Sequence, residues 1–589
     1  MNGPDNSEDQ KNLILAIVLS ALVLMIFQFM QPPPVEQMPD NQGGTTGTQT
    51  PQKQVAQAGG VVKTPSTKPA AAVPAVDIEA KVIANLTSDA LQTVELSNVD
   101  GQLRRWTLLE DQYGVRDQGD ATKSRPFDFV KPQQSSDETL SSRFLPPTID
   151  LTVDGSVLRG EFRSIESTGK NEAVLELVDS ARQIKVIKKY TLSATTYAIK
   201  VDVSVENLST QARQYGLSSE LAALQNNAEA EPSMFMPPLN LFNSLCKRAD
   251  DFERLPAADI IDNVNDGEPE LNQFADGLQW AGMDNRYFMT AILAAPNEIK
   301  SCAAAVASPA TAGIPAGYSR LATRVELEPG VLSAAGTAGA AVTRSFQFYG
   351  GPKKLSDLNA MQPALGDAID FGIFSVICVP MLWLMRFSFE YIPNWGIAII
   401  ILTVLVKLLT LPLTIKQYKS MAAMKKIQPL MKSLQEKYSD DKVRMQQELM
   451  KLYREHQVNP LAGCLPMVMM MPIYFALYRT IYSAVELYQA NFGGWLTDLS
   501  QQDPYYVTPV LLGLLMIIQF RLNPSAGDQA QTKILMWVMP VMFTAMMLFL
   551  PSGLVLYILV NTVLGIAQQW YSYQQQEDIV PKKKARSRS

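Results

Sequence analysis

Histidine is nearly absent from this chain: His456 is the single one in 589 residues. Cysteine is scarce as well, with Cys246, Cys302, Cys378 and Cys464 and no CxxC pair. Zinc sites are assembled from clusters of those two residue types, so no metal site is expected. A glycine-rich phosphate loop, a metal-ligand cluster and a nucleophile–base pair are missing too. That removes the usual starting points for an enzyme, and no cofactor is expected. Charged residues make up 18% of the chain, below the roughly 25% of an average soluble protein. The formal net charge of −6 argues against a nucleic-acid binder as a whole. No internal repeat is visible, which counts against a secondary transporter built from repeats around a mid-membrane site.

What is present is unevenly placed. Charge is thin after about Gly372 and in one stretch near the N-terminus, so a membrane part is joined to a soluble part. After residues 1–12, the run Leu13 to Met30 is charge-free and long enough to cross a bilayer core. No small-x-small site follows it, and Gln31-Pro32-Pro33-Pro34 comes directly after, so an uncleaved anchor at 13–30 is expected. Residues 31–75, rich in Pro, Gln, Gly, Thr and Ala, hold too few large apolar side chains to offset their ordering entropy and read as a flexible linker.

Residues 76–350 change to short alternating runs. Ala173, Leu175 and Leu177, and then Ile199, Val201, Val203 and Val205, have the period of two of half-buried strands. Turn-rich pieces such as Val99-Asp100-Gly101-Gln102 and Val153-Asp154-Gly155 separate such runs. An all-β sandwich is expected. Cys246 and Cys302 share this region, and their spacing leaves open whether they pair.

Residues 351–393 read as a junction and an interfacial helix, since the apolar stretch Phe371 to Phe389 is interrupted by Arg386 and followed by Glu390. Five spans are expected at 394–413, 461–482, 506–520, 534–550 and 554–571, the last two joined by Pro551-Ser552-Gly553. The segment 414–460 is rich in Lys and Arg, the loop 483–505 has none, 521–533 is a short loop, and the tail 572–589 ends in Lys582-Lys583-Lys584-Ala585-Arg586-Ser587-Arg588. This bias puts both termini, 414–460 and 521–533 in the cytoplasm, with the β domain and 483–505 outside.

Thr403, Lys407, Thr410 and Thr414 fall on one face of the second span. Tyr557, Asn561 and Gln568 share a face of the last span, Tyr474, Tyr478 and Tyr482 one of the third, and Thr508 and Gln519 one of the fourth. Such stripes are expected to face protein or a water-filled cavity. A cation within the bilayer costs roughly 2.5–3.5 kcal/mol on insertion scales, which makes a functional role for Lys407 the default; a lysine snorkelling past Leu411-Pro412 is the alternative. In 414–460, Met424, Ile427, Met431, Leu434 and Tyr438 give one apolar helical face, with a kink expected at Pro429. Ser439-Asp440-Asp441 supplies a turn and N-cap, and Met445, Leu449 and Leu452 the second arm of a helical hairpin. The methionines Met467, Met469, Met470 and Met471, and Met536, Met539, Met542 and Met546, suit adaptable apolar contact as well as plain packing.

Several strings then occur in order. They are Phe348-Tyr349-Gly350-Gly351-Pro352-Lys353, Ile369-Asp370-Phe371-Gly372, Asn394-Trp395-Gly396, Leu411-Pro412-Leu413, Ile427-Gln428-Pro429 and Asn459-Pro460-Leu461-Ala462-Gly463-Cys464. Met471-Pro472-Ile473, Trp495-Leu496-Thr497-Asp498-Leu499, Asp503-Pro504-Tyr505-Tyr506, Met539-Pro540-Val541 and Phe549-Leu550-Pro551-Ser552-Gly553-Leu554-Val555-Leu556-Tyr557 follow. Over residues 345–570 this order resembles the YidC/Oxa/Alb insertases, and the large β domain resembles the periplasmic domain of Gram-negative members.

The resemblance implies a supersandwich-like β domain, a membrane core of five helices and residence in the bacterial inner membrane. It also implies an energy-independent insertase and chaperone, acting alone or with the secretion translocon through a cationic groove. On that reading Lys407, Thr403, Thr410, Gln519, Tyr557 and Asn561 line the groove, while Met424, Lys425, Lys426, Pro429 and Met431 belong to a substrate-recruiting hairpin. Partners would be newly made membrane proteins, lipids, translocon subunits and the ribosome through loops and tail. Bacterial members usually carry Arg where Lys407 stands; Lys keeps the charge but lacks the planar fork. A structural accessory subunit of the translocon is the alternative, and a transporter a more distant one.

Overall fold

The computed structural model describes residues 79–577 apart from 89, 118–119, 131–142, 167–168, 231–240, 250, 266–271, 308–313, 316, 439–440, 457–460 and 523–528. The anchor at 13–30, the linker at 31–75 and the last part of the basic tail lie outside the described residues.

Strands from Val82–Ser88 to Ala341–Pro352 form the β domain. Two antiparallel rows meet at the long strand Gln273–Asp284, which pairs over its first half with Ile299–Ala307 and over its second with Phe288–Ala294. One row continues through Tyr318–Leu327 and Arg213–Asn226 to Phe144–Val153. The other continues through Ala341–Pro352, Ala198–Asn207 and Ile184–Leu192 to Glu172–Asp179. The alternation read from the sequence is what packs them: Ile199, Val201, Val203 and Val205 are all buried, with Ile199 opposite Phe348 and Val201 opposite Phe346. Gly350 and Gly351 leave room for two rings, since a Cβ there would stand 2.6 Å from the Trp106 ring and 2.8 Å from that of Tyr197.

Cys246 and Cys302, left open by the sequence, form a disulfide with a Cα–Cα distance of 6.2 Å. Their strands, Asn243–Arg248 and Ile299–Ala307, both pair with Gln273–Asp284, Cys246 standing beside Ala281 and Cys302 beside Phe274, on either side of the register shift between Ala275 and Leu278.

After the short helix Leu355–Ala360, seven longer helices follow among the described residues: α1 (Ser375–Tyr391), α2 (Trp395–Lys437), α3 (Lys442–Glu455), α4 (Leu461–Ser483), α5 (Val507–Leu522), α6 (Gln529–Met547) and α7 (Ser552–Glu577). The Asn394 side chain caps α2 by accepting from Ile397 N at 3.1 Å. The first core span does not end its helix near Leu413. α2 runs on through Pro412 and Pro429 as one helix of 43 residues, so no break appears at either proline. Each proline removes one N–H, and the unbroken turns on both sides carry the helix past it. The link between α6 and α7, residues 548–551, also lies earlier than expected, because α6 ends at Met547 and Ser552 and Gly553 already belong to α7. The first residues of the expected tail, up to Glu577, continue that helix.

α7 packs on α2 and α5, α5 on α6, and α1 on α2 and α4. Among the described residues, Gly372–Tyr391, Trp395–Ile415 and Ser552–Ser572 are long and apolar enough to cross a membrane. α1 therefore meets the length of a span, yet it is two-sided. Val376, Val379, Trp383, Phe387 and Tyr391 are exposed along one face, while Cys378, Met381, Leu382 and Met385 are buried on the other.

Candidate functional site

The polar groups of three helices converge at a glycine. On α7, Tyr557, Asn561, Gly565 and Gln568 follow one another at spacings that keep them on one face. A Cβ at Gly565 would stand 3.4 Å from Gln519 Nε2 of α5 and 3.6 Å from Lys407 Nζ of α2. Lys407 and Gln519, far apart in sequence, thus reach the same spot over a residue without a side chain. Lys407 is half-buried, and among the described residues no carboxylate pairs with its ammonium.

Further along α7, Asn561 stands within reach of the Tyr474 hydroxyl of α4. Tyr557 is buried, and its hydroxyl has no hydrogen-bond partner among the described residues; the same holds for both amide atoms of Gln568. These buried donors and acceptors lie on the same face of α7 as Gly565, where an added polar group would find partners.

The threonines play a different part. Thr403 Oγ1 donates to Ile399 O at 2.6 Å, Thr410 Oγ1 to Val406 O at 2.9 Å and Thr414 Oγ1 to Thr410 O at 2.9 Å. All three are buried, so their hydroxyls are satisfied by their own helix and only their methyl groups face neighbours. Thr508, which shares a stripe with Gln519 in the sequence, instead donates to Asp503 Oδ2 at 2.7 Å from both its backbone N–H and its hydroxyl, capping α5.

The loop 483–505 ties the helix ends on its side together. Asn394 Nδ2 donates to Phe492 O at 2.9 Å, Gly553 N to Leu499 O at 2.9 Å and Ser552 Oγ to Asp498 O at 2.9 Å. With Asp503 on α5, one loop holds the ends of α2, α5 and α7.

At the opposite end the hairpin of α2 and α3 has its own small core. Ile427, Met431 and Leu452 are buried there, with Leu434, Leu449 and Tyr453 packed around them. Asp441 caps α3 by accepting from Arg444 N at 2.9 Å. Met431 is therefore turned into the hairpin, whereas Lys426 and Pro429 are exposed. The side chains of Met424, Lys425 and Cys464 lie outside the described residues, as do those of Met467, Met469, Met470 and Met536. Met542 is exposed on α6, and Met539 and Met546 are half-buried.

Gly565 was missed by sequence reasoning. Its signal was present, one turn beyond Asn561 on the polar face, but a lone helix glycine more often serves close helix packing than a polar site.

Two family models match the chain in succession, the YidC periplasmic domain over residues 84–384 and the 60Kd inner membrane protein over 387–579. A protein of Geotalea daltonii named membrane protein insertase YidC is 32% identical over 564 residues, 95% of this chain and 98% of that one. The chain belongs to the YidC family. A YidC of Syntrophus aciditrophicus with the same name is 32% identical over 579 residues, covering 96% of this chain and 99% of its own. A crystal structure of an active YidC insertase with its first transmembrane domain resolved is 18% identical, with a TM-score of 0.34 over 84% of this chain and 95% of that one. The β domain of this YidC-family chain, with most of α1, thus falls in the matched periplasmic-domain segment, and α2 to α7 fall in the matched inner-membrane segment.

Proposed function

We propose that this chain is a membrane protein insertase of the bacterial inner membrane and assists the folding of its substrates. Relatives matched over nearly its whole length carry the insertase name, which supports the first part. Substrates are newly made membrane proteins. In this reading the β domain and loop 483–505 are periplasmic, and the termini, the hairpin 414–460 and loop 521–533 cytoplasmic. The Lys and Arg distribution supports that orientation. The anchor at 13–30 and the core helices span, while α1 lies at the interface with its aromatic face in lipid, as its one-sided exposure suggests.

The observation that carries the mechanism is the convergence of Lys407 and Gln519 over Gly565 with no carboxylate partner among the described residues. Lys407 attracts acidic residues in the hydrophilic part of a substrate. Gln519, Asn561 and Tyr557 replace some of the hydrogen bonds that part gives up on leaving water. Its apolar segment meanwhile slides into lipid. Thr403 and Thr410 form wall rather than donors. The hairpin recruits substrate through exposed Lys426 and Pro429 together with Met424 and Lys425, Met431 holding its two arms together, and the translocon and ribosome are the expected larger partners.

The test is insertion of a single-span substrate with an acidic external tail into liposomes holding only this protein. Lys407→Ala is expected to lose insertion by about tenfold or more, the factor that 1.4 kcal/mol represents, while Lys407→Arg retains it. Equal insertion by all three forms would leave Lys407 as a snorkelling residue. If the wild type fails where a translocon-containing control succeeds, the accessory-subunit reading takes its place.

A further inference from the structure

We infer that Arg286 is a positioning residue through which the β domain sets the C-terminal end of α4 and, along a ladder of tyrosines, the Tyr474–Asn561 contact of the groove. The β domain and the helices belong to one compact unit, and Arg286 sits where they meet.

Arg286 lies in the tight turn between strands Gln273–Asp284 and Phe288–Ala294. Asn285 braces that turn, its Oδ1 accepting from Tyr287 N at 3.1 Å and Phe288 N at 2.9 Å. Behind the turn, buried Asp284 accepts from Lys353 Nζ at 2.8 Å, Arg254 Nη1 at 3.0 Å and Asn243 Nδ2 at 2.9 Å. Arg254 also donates to Ala368 O at 2.7 Å, which fastens the segment leading to α1. The platform beneath Arg286 is therefore stiff.

From it, Arg286 Nε donates to Tyr482 O at 2.8 Å. That carbonyl is in the last turn of α4, where the helix offers it no partner and where a cation complements the helix dipole. The guanidinium carbon stands 3.6 Å from the centre of the Tyr482 ring and 4.7 Å from that of Tyr287. Its two terminal nitrogens have no hydrogen-bond partner among the described residues, so the group otherwise acts through its faces.

The contact is broader than one side chain. Gln112 Nε2 donates to Glu486 O at 3.1 Å, and the Tyr287 and Phe288 rings pack on Tyr488 at 5.2 and 5.3 Å. Glu486 is in turn ion-paired with Arg386 of α1. α1 and α4 are both referenced to the β sheet at this point. Tyr482 stacks on Tyr478 at 5.7 Å, one turn further lies Tyr474, and Tyr474 faces Asn561 of α7. A stiff helix moved at its end moves Tyr474 as well.

The clamp is readable without any insertion assay; only its consequence rests on the proposed function. The full chain in liposomes would be compared as wild type, Arg286→Ala, Arg286→Lys, Tyr474→Phe and the Arg286→Ala/Tyr474→Phe double variant. In Arg286→Ala, amide exchange over Thr480–Glu486 is expected to rise about tenfold while strand Ala198–Asn207 keeps its protection. Insertion should fall several-fold, Arg286→Lys should recover most of it, and the double variant should lose little beyond Arg286→Ala alone. Unchanged exchange at Thr480–Glu486, or strictly additive losses in the double variant, would overturn the inference. So would loss of protection in the sheet as well, which would make Arg286 a folding residue only. If the wild type does not insert, the insertase reading fails and the exchange result alone decides the clamp.

Discussion

Asp284 is buried in the β domain and Lys407 half-buried among the helices, but only one has counter-charges. Burial disfavours the Asp284 carboxylate, yet Arg254 and Lys353 beside it hold it below the usual carboxylate range. Glu220 is similar: burial opposes its charge, and Arg320 and Arg324 hold its carboxyl down. Even Lys188, buried between strands, donates to Asp100 O at 2.7 Å and Ile149 O at 3.2 Å and lies over the Phe162 ring. Lys407 has no carboxylate partner among the described residues. Satisfied buried charges fix one arrangement of the chain and are silent toward other molecules. An unpaired cation leaves that interaction to an incoming chain.

Breaking the satisfied side should cost most. Asp284→Asn leaves Lys353 and Arg254 short of a counter-charge and is expected to destabilise the β domain by about 3–5 kcal/mol, measured by denaturant unfolding. Lys188 comes next. Burial pushes its ammonium down to about 8, so the unfolded chain binds more protons than the folded one above that pH. Stability should therefore rise from about pH 8 to 10 by about 2 kcal/mol, and Lys188→Met should flatten that slope. A wild-type slope of the opposite sign would show that Lys188 is not the titrating group.

Lys407→Met sharpens the comparison from the other side. Because no buried partner is stranded, the variant should unfold no more easily than wild type and should gain up to about 2 kcal/mol, even as insertion falls. A marked loss of stability would mean that Lys407 is paired after all. The smallest effect is expected at the hairpin, where Asp441→Ala removes the cap of α3 for about 1 kcal/mol, seen as faster amide exchange in its first turn.

Much of this was legible beforehand because it follows from local periodicity. Ile199 to Val205 could only be a strand with one face buried, and Lys407 and Asn561 could be placed on polar helix faces by counting residues. Local patterns also misled. The end of the span at Leu413 gave no sign that the helix itself continues to Lys437, past Pro412 and Pro429, as one helix of 43 residues. Thr403 and Thr410 read as polar lining, yet a threonine hydroxyl inside a helix reaches the carbonyl one turn back. The apolar face read at Ile427, Met431 and Leu434, by contrast, is the one that packs against Leu449 and Leu452 in the hairpin.

The sequence by itself determined where this chain is apolar, which way its charges bias it and which residues share a face, since these depend on neighbours within a turn or two. It also carried the family in the order of its motifs. Only the tertiary structure decided that Lys407, Gln519 and Gly565 occupy one spot, that Cys246 meets Cys302 and that Arg286 grips the end of α4. Those are meetings of residues tens to hundreds of positions apart. Which of many possible partners such a residue finds is fixed by how whole helices and sheets pack, a choice no local pattern contains.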